Sequence, residues 1–214
     1  MCLVLPRLYV ILDAALITSS ERDCALSLAE AGVRLIQYRN KSASSRQYLD
    51  SSRELAEALR PRGVTFIVND RPDVALLAGA SGVHVGQDDL EVEQARLVAG
   101  SVKLVGVSTH NLEQFNKAAA SSADYIAIGP LFSTTSKANP DAVVGLAFLR
   151  SVRGLTDKPI VGIGGISLDR AKSVIEAGAD SVAVISGVLG SHNPSQSARQ
   201  YLEVLETAKH AAAY

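Results

Sequence analysis

Asp70 and Asp89 stand just past the ends of two short apolar runs, Thr65-Phe66-Ile67-Val68-Asn69 and Gly82-Val83-His84-Val85-Gly86-Gln87. Each run reads as a buried strand, and each carboxylate lies where the chain turns out of it. If the strands are parallel neighbours, both carboxylates reach the same end of one sheet. Carboxylate oxygens suit hard cations, and Mg²⁺ held by one or two of them usually holds substrate phosphates as well. The pair therefore predicts a Mg²⁺ site and a phosphorylated substrate. The plain alternative is that both cap helices or solubilise loops. Asp88 adjoins Asp89, only one of the two is needed for metal, and the spacing does not choose between them.

Other strand ends carry compatible chemistry. In Gln37-Tyr38-Arg39-Asn40-Lys41, period-two alternation gives Gln37, Arg39 and Lys41 one parity, so a strand end presents an anion-facing wall. Asn69 suits a heterocycle edge or a phosphate. Arg71 and Asp73 read as an ion-pairing residue and a helix cap, outside the site. Ser108 is placed to donate to a phosphate oxygen. His110 is either an acid–base group or a loop histidine beside a cap. His84, inside a buried strand, reads as a hydrogen-bonded core residue rather than a ligand. The hydroxyls of Ser133, Thr134, Thr135 and Ser136 followed by Lys137 form an anion-clasping run, because lysine binds phosphate as a compact cation. The stretch 138–144 that follows reads as a lid. Gly164-Gly165 and Ser186-Gly187 are turns at which backbone N–H groups approach a ligand closely.

What must position these groups is an alternation of Val/Ile/Leu-rich runs with Ala/Glu/Arg-rich amphipathic stretches. Strands are predicted over 8–12, 35–39, 65–69, 82–85, 104–108, 125–129, 160–163 and 181–185. Helices are predicted over 22–31, 45–59, 73–78, 90–99, 112–121, 146–152 and 168–177, with a C-terminal helix at about 195–211. The strand runs are apolar throughout, which suits parallel strands buried on both faces. Eight such units without a dinucleotide-binding fingerprint imply one (β/α)₈ TIM-barrel domain over 1–214. A doubly wound open sheet is the alternative. In the barrel, active sites lie at the C-terminal strand ends, and phosphate sites recur after strands seven and eight.

The bulk composition narrows the class. The chain has 214 residues, 47% of them hydrophobic, and a net charge of −1. That charge gives no global basic field for nucleic acid. Two cysteines, Cys2 and Cys24, form neither metal spacing nor a disulfide framework, and so fit a reducing, cytoplasmic setting. The apolar start contains Pro6 and Arg7 and lacks the layout of a signal peptide. No apolar run reaches the roughly 18 residues of a membrane helix. The partners expected are small phosphorylated molecules, with no nucleic acid and no membrane, and a homo-oligomer is compatible with the sequence.

Taken together, the motifs resemble those of the thiamine-phosphate synthase family, itself similar to the thiazole tautomerases. The resemblance runs over nearly the whole chain. It rests on Gln37-x-Arg39-x-Lys41, Asn69-Asp70, Gly86-Gln87-Asp88-Asp89, Gly106-Val107-Ser108, the run 134–137, Gly164-Gly165-Ile166 and Ile185-Ser186. It implies a transferase that joins an aminopyrimidine methyl diphosphate to a thiazole ethyl phosphate, giving thiamine monophosphate and pyrophosphate. It further implies Mg²⁺ on Asp70 and Asp89, choosing Asp89 over Asp88. The segment Gln37, Tyr38, Arg39, Asn40 and Lys41, with Asn69, Ser108 and Lys137, would bind the pyrimidine diphosphate. Of these, Arg39, Lys41, Ser108 and Lys137 would be catalytic. Thr134, Thr135, Ser136, Gly165, Ile185 and Ser186 would face the thiazole phosphate. Tyr38 and Asn40 replace a more usual leucine and acidic residue. Their parity is opposite to that of the contacting side chains, so little effect is expected. Ser136 replaces threonine and keeps the hydroxyl.

Three rivals fit less of the sequence. A tautomerase has no use for a diphosphate clamp. A sugar-phosphate isomerase or epimerase leaves the hydroxyl–lysine run unexplained. A non-catalytic barrel would be expected to lack part of the metal and leaving-group set.

Overall fold

A computed structural model of the chain describes residues 3–100, 103–134 and 142–208. Eight parallel strands close into a barrel in sequence order. They are β1 (Leu8–Asp13), β2 (Leu35–Arg39), β3 (Thr65–Asn69), β4 (Gly82–Val85), β5 (Leu104–Thr109), β6 (Tyr125–Ile128), β7 (Ile160–Ile163) and β8 (Ser181–Val184). The β1–β8 pairing, Leu8 against Val182, removes the open edge that a doubly wound sheet would keep. The surrounding helices are α1 (Glu21–Glu30), α2 (Ser45–Leu59), α3 (Pro72–Ala78), α4 (Val92–Ala99), α5 (Leu112–Ala120), α6 (Gly145–Arg153), α7 (Leu168–Glu176), α8 (Ser186–Leu189) and α9 (Pro194–Glu206).

Strand parity sorts the apolar residues into two cores. Leu8, Val10, Leu12, Ile36, Tyr38 and their counterparts face the helices. Tyr9, Ile11, Leu35, Ile67, Tyr125, Ala127, Val161 and Ala183 fill the barrel. Local signals set the helix ends. Ser44 and Gln47 form a reciprocal capping box at α2. Glu91 and Gln94 do the same at α4, which is why that helix begins at Val92 rather than at the expected position 90. The four-residue α8 lies outside the helices predicted from the sequence and follows β8 directly through Ile185.

Candidate active site

A cavity of about 780 Å³ opens at the C-terminal ends of the strands. On its β1–β2 wall, Gln37, Arg39 and Lys41 all reach the lining, as their shared parity requires. Arg39 is paired across the sheet with Asp13, its register partner on β1, and its guanidinium donates to the Asp13 carboxylate. The other Asp13 oxygen accepts from the Ala15 N–H at 3.1 Å. Asp13 is buried at 5% exposure, so this carboxylate is fixed rather than solvated. Asp13 is not among the residues the sequence singles out; an acid immediately after the predicted first strand, 8–12, is the available signal, and β1 extends to include it.

Tyr38 and Asn40 fall outside the cavity. Tyr38 points into the helix layer, where its hydroxyl lies 2.8 Å from both Glu21 carboxylate oxygens. Asn40 shapes the turn into α2: its Oδ1 accepts from Ser42 N and Ala43 N, and its Nδ2 donates to the Tyr38 hydroxyl. Opposite parity is the physical reason, since alternate side chains leave opposite faces of a strand. Tyr48 on α2 braces the same rim. Its hydroxyl lies 2.9 Å from Tyr38 O and 3.0 Å from Asn69 O, and accepts from Asn69 N.

On the β3–β4 wall, Asn69, Asp70 and Asp89 line the cavity together. Asp70 holds φ 63, the only non-glycine residue with positive φ among those described. Such a conformation costs about 1–3 kcal/mol and persists where surrounding structure imposes it. Here the Asp70 N–H donates to His84 O at 2.7 Å, and Lys41 Nζ donates to the Asp70 carboxylate. Asp89 accepts from the Gly86 N–H at 2.7 Å. Burial, reinforced by the adjoining Asp70 carboxylate and partly opposed by the Gly86 N–H, pushes the Asp89 carboxyl above its usual range. Asp88 is exposed beside it and also borders the cavity. Asp89 is thus the carboxylate that meets Asp70. Two adjoining carboxylates, already drawing one ammonium, are a donor set that fits a hard divalent cation completed by water and phosphate oxygens. Among the described residues no group of three or more His, Cys, Asp or Glu side chains gathers to form an all-protein cage.

On the β5–β6 wall, Ser108 Oγ lies 2.9 Å from His84 Nε2, and Gln87 Nε2 donates to Ser108 O at 2.6 Å. His84 is both things at once: a buried, hydrogen-bonded side chain and part of the cavity lining. His110 also borders the cavity, its Nδ1 donating to Gly129 O at 2.6 Å. Thr134 lines the cavity. Thr135, Ser136, Lys137 and most of the expected lid lie outside the described residues.

On the β7–β8 wall, Gly165, Ile185 and Ser186 complete the lining. Gly164 and Gly165 hold φ 96 and 63, and a Cβ on Gly165 would sit 2.3 Å from Ser133 O. Only glycine lets this turn nest against the loop that leaves β6. Arg170 stacks over Phe132 at 4.8 Å and donates to Gly165 O, tying the two loops together.

A family profile for thiamine monophosphate synthase matches residues 8–188. The chain belongs to the thiamine monophosphate synthase family. It is 52% identical over 210 residues to the thiamine-phosphate synthase of Koribacter versatilis, covering 96% of this chain and 98% of that one. It is 45% identical to the thiamine-phosphate synthase of Chloroflexus aurantiacus, covering 91% and 90% of the two chains. Its fold superposes on the thiamine phosphate pyrophosphorylase from Pyrococcus furiosus with a TM-score of 0.85 and 32% identity, covering 94% and 95% of the chains. The chain is therefore a thiamine-phosphate synthase family transferase.

Proposed function

We propose that the enzyme condenses an aminopyrimidine methyl diphosphate with a thiazole ethyl phosphate, releasing thiamine monophosphate and pyrophosphate. The observation that carries this reading is the joint placement of Arg39, Lys41, Asp70 and Asp89 on one rim of the cavity. A diphosphate clamp of that kind has no role in tautomerising a thiazole.

The reaction breaks a C–O bond to a diphosphate and forms a C–N bond to the thiazole nitrogen. The aminopyrimidine ring donates electrons to its methylene, so the C–O bond breaks largely before attack. Such a step needs no covalent nucleophile and no strong base. It needs the departing charge met by groups already in place, each worth a few kcal/mol. Arg39, held by Asp13, and Lys41, beside Asp70, supply cationic donors on one side. Ser108 supplies a hydroxyl donor on another, and Lys137 adds a further cation. Asp70 and Asp89 would hold Mg²⁺, which when bound neutralises charge on the diphosphate oxygens. Gln37 and Asn69 orient the pyrimidine. Thr134, Thr135 and Ser136, from the loop after β6, would hold the thiazole phosphate together with Gly165, Ile185 and Ser186, which follow the seventh and eighth strands where such barrels commonly bind phosphate. Holding both rings in line supplies the orientational part of the rate. The cysteine usage supports a cytoplasmic setting.

The test is direct. The purified protein is incubated with both phosphorylated heterocycles and Mg²⁺, and products are followed by chromatography. Thiamine monophosphate and pyrophosphate in equal amounts are expected; neither product, from folded protein, overturns the assignment.

A further inference from the structure

At the base of the cavity, side chains from five strands form one hydrogen-bonded chain across the barrel. Gln37 Nε2 on β2 lies 2.6 Å from the Tyr9 hydroxyl on β1. The Tyr9 hydroxyl lies 3.0 Å from that of Tyr125 on β6. The Tyr125 hydroxyl lies 3.1 Å from His84 Nδ1 on β4, and His84 Nε2 lies 2.9 Å from Ser108 Oγ on β5. Tyr9, Gln37, His84 and Tyr125 are all buried. Tyr125 alone among the five does not line the cavity. Its ring lies over Gly106, where a Cβ would come 2.0 Å from Tyr125 Cζ. A strand glycine thus makes room for a phenol set behind the cavity lining. Burial raises the pKa of both phenols well above the ordinary value, so both hydroxyls keep their protons.

The chain has two self-consistent directions, because each hydroxyl and each neutral imidazole carries a single proton to donate. When Gln37 Nε2 donates to Tyr9, the Tyr9 proton goes to Tyr125, the only acceptor within reach among the described residues. Tyr125 then donates to His84 Nδ1, the imidazole proton sits on Nε2 and goes to Ser108 Oγ, and the Ser108 proton faces the cavity. Gln37 Oε1 is left to accept from a ligand. Turning the Gln37 amide over reverses every bond. Ser108 then donates inward and presents lone pairs to the cavity, while Gln37 presents an NH₂ group.

We propose that this chain couples the two ends of the pyrimidine diphosphate site, with Tyr125 as the positioning residue that transmits the coupling: Ser108 donates to an anion when Gln37 accepts from a ring amino group. The proposal rests on the substrate reading above. It makes the site selective for a ring with a donor at Gln37. An oxo group in that place demands the reversed chain, which turns Ser108 lone pairs toward the diphosphate.

Tyr125→Phe removes one buried hydroxyl and leaves the ring over Gly106. Three measurements test it: turnover with the aminopyrimidine diphosphate against its oxo counterpart, calorimetric binding of inorganic pyrophosphate, and ¹⁵N shifts of the His84 imidazole. In the wild type, a preference for the amino ring of about a hundredfold or more and an Nε2–H tautomer are expected, since a site built for one hydrogen-bonding partner rejects its mismatch strongly. In Tyr125→Phe the preference narrows by about tenfold, pyrophosphate binds several-fold more weakly, and the single tautomer is lost. Tyr9→Phe cuts the chain on the Gln37 side, so the preference narrows while pyrophosphate affinity holds. Folded Tyr125→Phe protein with unchanged preference and tautomer overturns the proposal, as does an Nδ1–H tautomer in the wild type. If Tyr125→Phe does not fold, an unchanged preference in Tyr9→Phe overturns it. A wild type that forms no product from the amino diphosphate instead overturns the substrate reading, and the His84 tautomer is measured without turnover.

Discussion

Replacing Asp13 by asparagine tests whether the Arg39 guanidinium works because it is held in place. Asp13 is buried, and its side chain is 7% exposed against 23% for Arg39. The substitution keeps the shape and the acceptor for Ala15 N–H but removes the charge that Arg39 donates to. A hydrogen bond to a charged group contributes about 1.5–3 kcal/mol. Partial exposure of Arg39 moves the expectation to the lower end, about 2 kcal/mol. For a domain of this size that corresponds to a fall in Tm of roughly 4–8 °C. In turnover, an unsecured guanidinium loses orientation toward the diphosphate, and kcat/KM falls by about 10–100-fold. Asp13→Asn, Arg39→Gln and the double variant are compared by steady-state kinetics and thermal unfolding. If Asp13 acts through Arg39, its substitution changes kcat/KM little once Arg39 is gone, which is the non-additivity expected of contacting residues. Full additivity in kcat/KM, or wild-type kinetics in Asp13→Asn, would refute the reasoning.

Three further perturbations follow from the same geometry. Asp70→Ala is expected to abolish Mg²⁺-dependent product formation while circular dichroism stays near wild type; the melting transition falls modestly, because alanine tolerates the left-handed backbone at Asp70 less well than aspartate; near wild-type turnover in folded protein sinks the metal assignment. Gly165→Ala places a Cβ against Ser133 O at a positive φ, so stability should fall by more than about 1 kcal/mol, and KM for the thiazole phosphate should rise more than KM for the pyrimidine diphosphate. Tyr48→Phe removes the hydroxyl that braces Tyr38 O against the Asn69 backbone; a loss of about 1 kcal/mol in denaturant unfolding is expected, with Mg²⁺ activation shifted to higher concentration.

The barrel was legible because its determinants are local and periodic. Two-sided apolar strands such as Leu8–Asp13 and Tyr125–Ile128 alternate with capped amphipathic helices, and chemistry in such a fold is confined to the strand ends. Parity alone separated Gln37, Arg39 and Lys41 from Tyr38 and Asn40. The sequence also contained the two aspartates, and the family resemblance chose Asp89 over Asp88. What it could not contain was contact across the barrel. The pairing of Asp13 with Arg39 depends on the β1–β2 register, and the approach of Asp89 to Asp70 on how the β4 turn folds back onto Gly86. Nothing in the spacing of Tyr9 and Tyr125 marks them as partners, and Gly106 enters only through the motif Gly106-Val107-Ser108. Only closure of the sheet brings residues 116 positions apart to within a hydrogen bond, because side chains on one strand face carry no record of which opposite strand they will meet. The sequence by itself thus determined the strands, their polarity and the chemistry at their ends. Tertiary structure decided which of those groups touch, and so which carboxylate meets Asp70 and which phenols join Gln37 to Ser108.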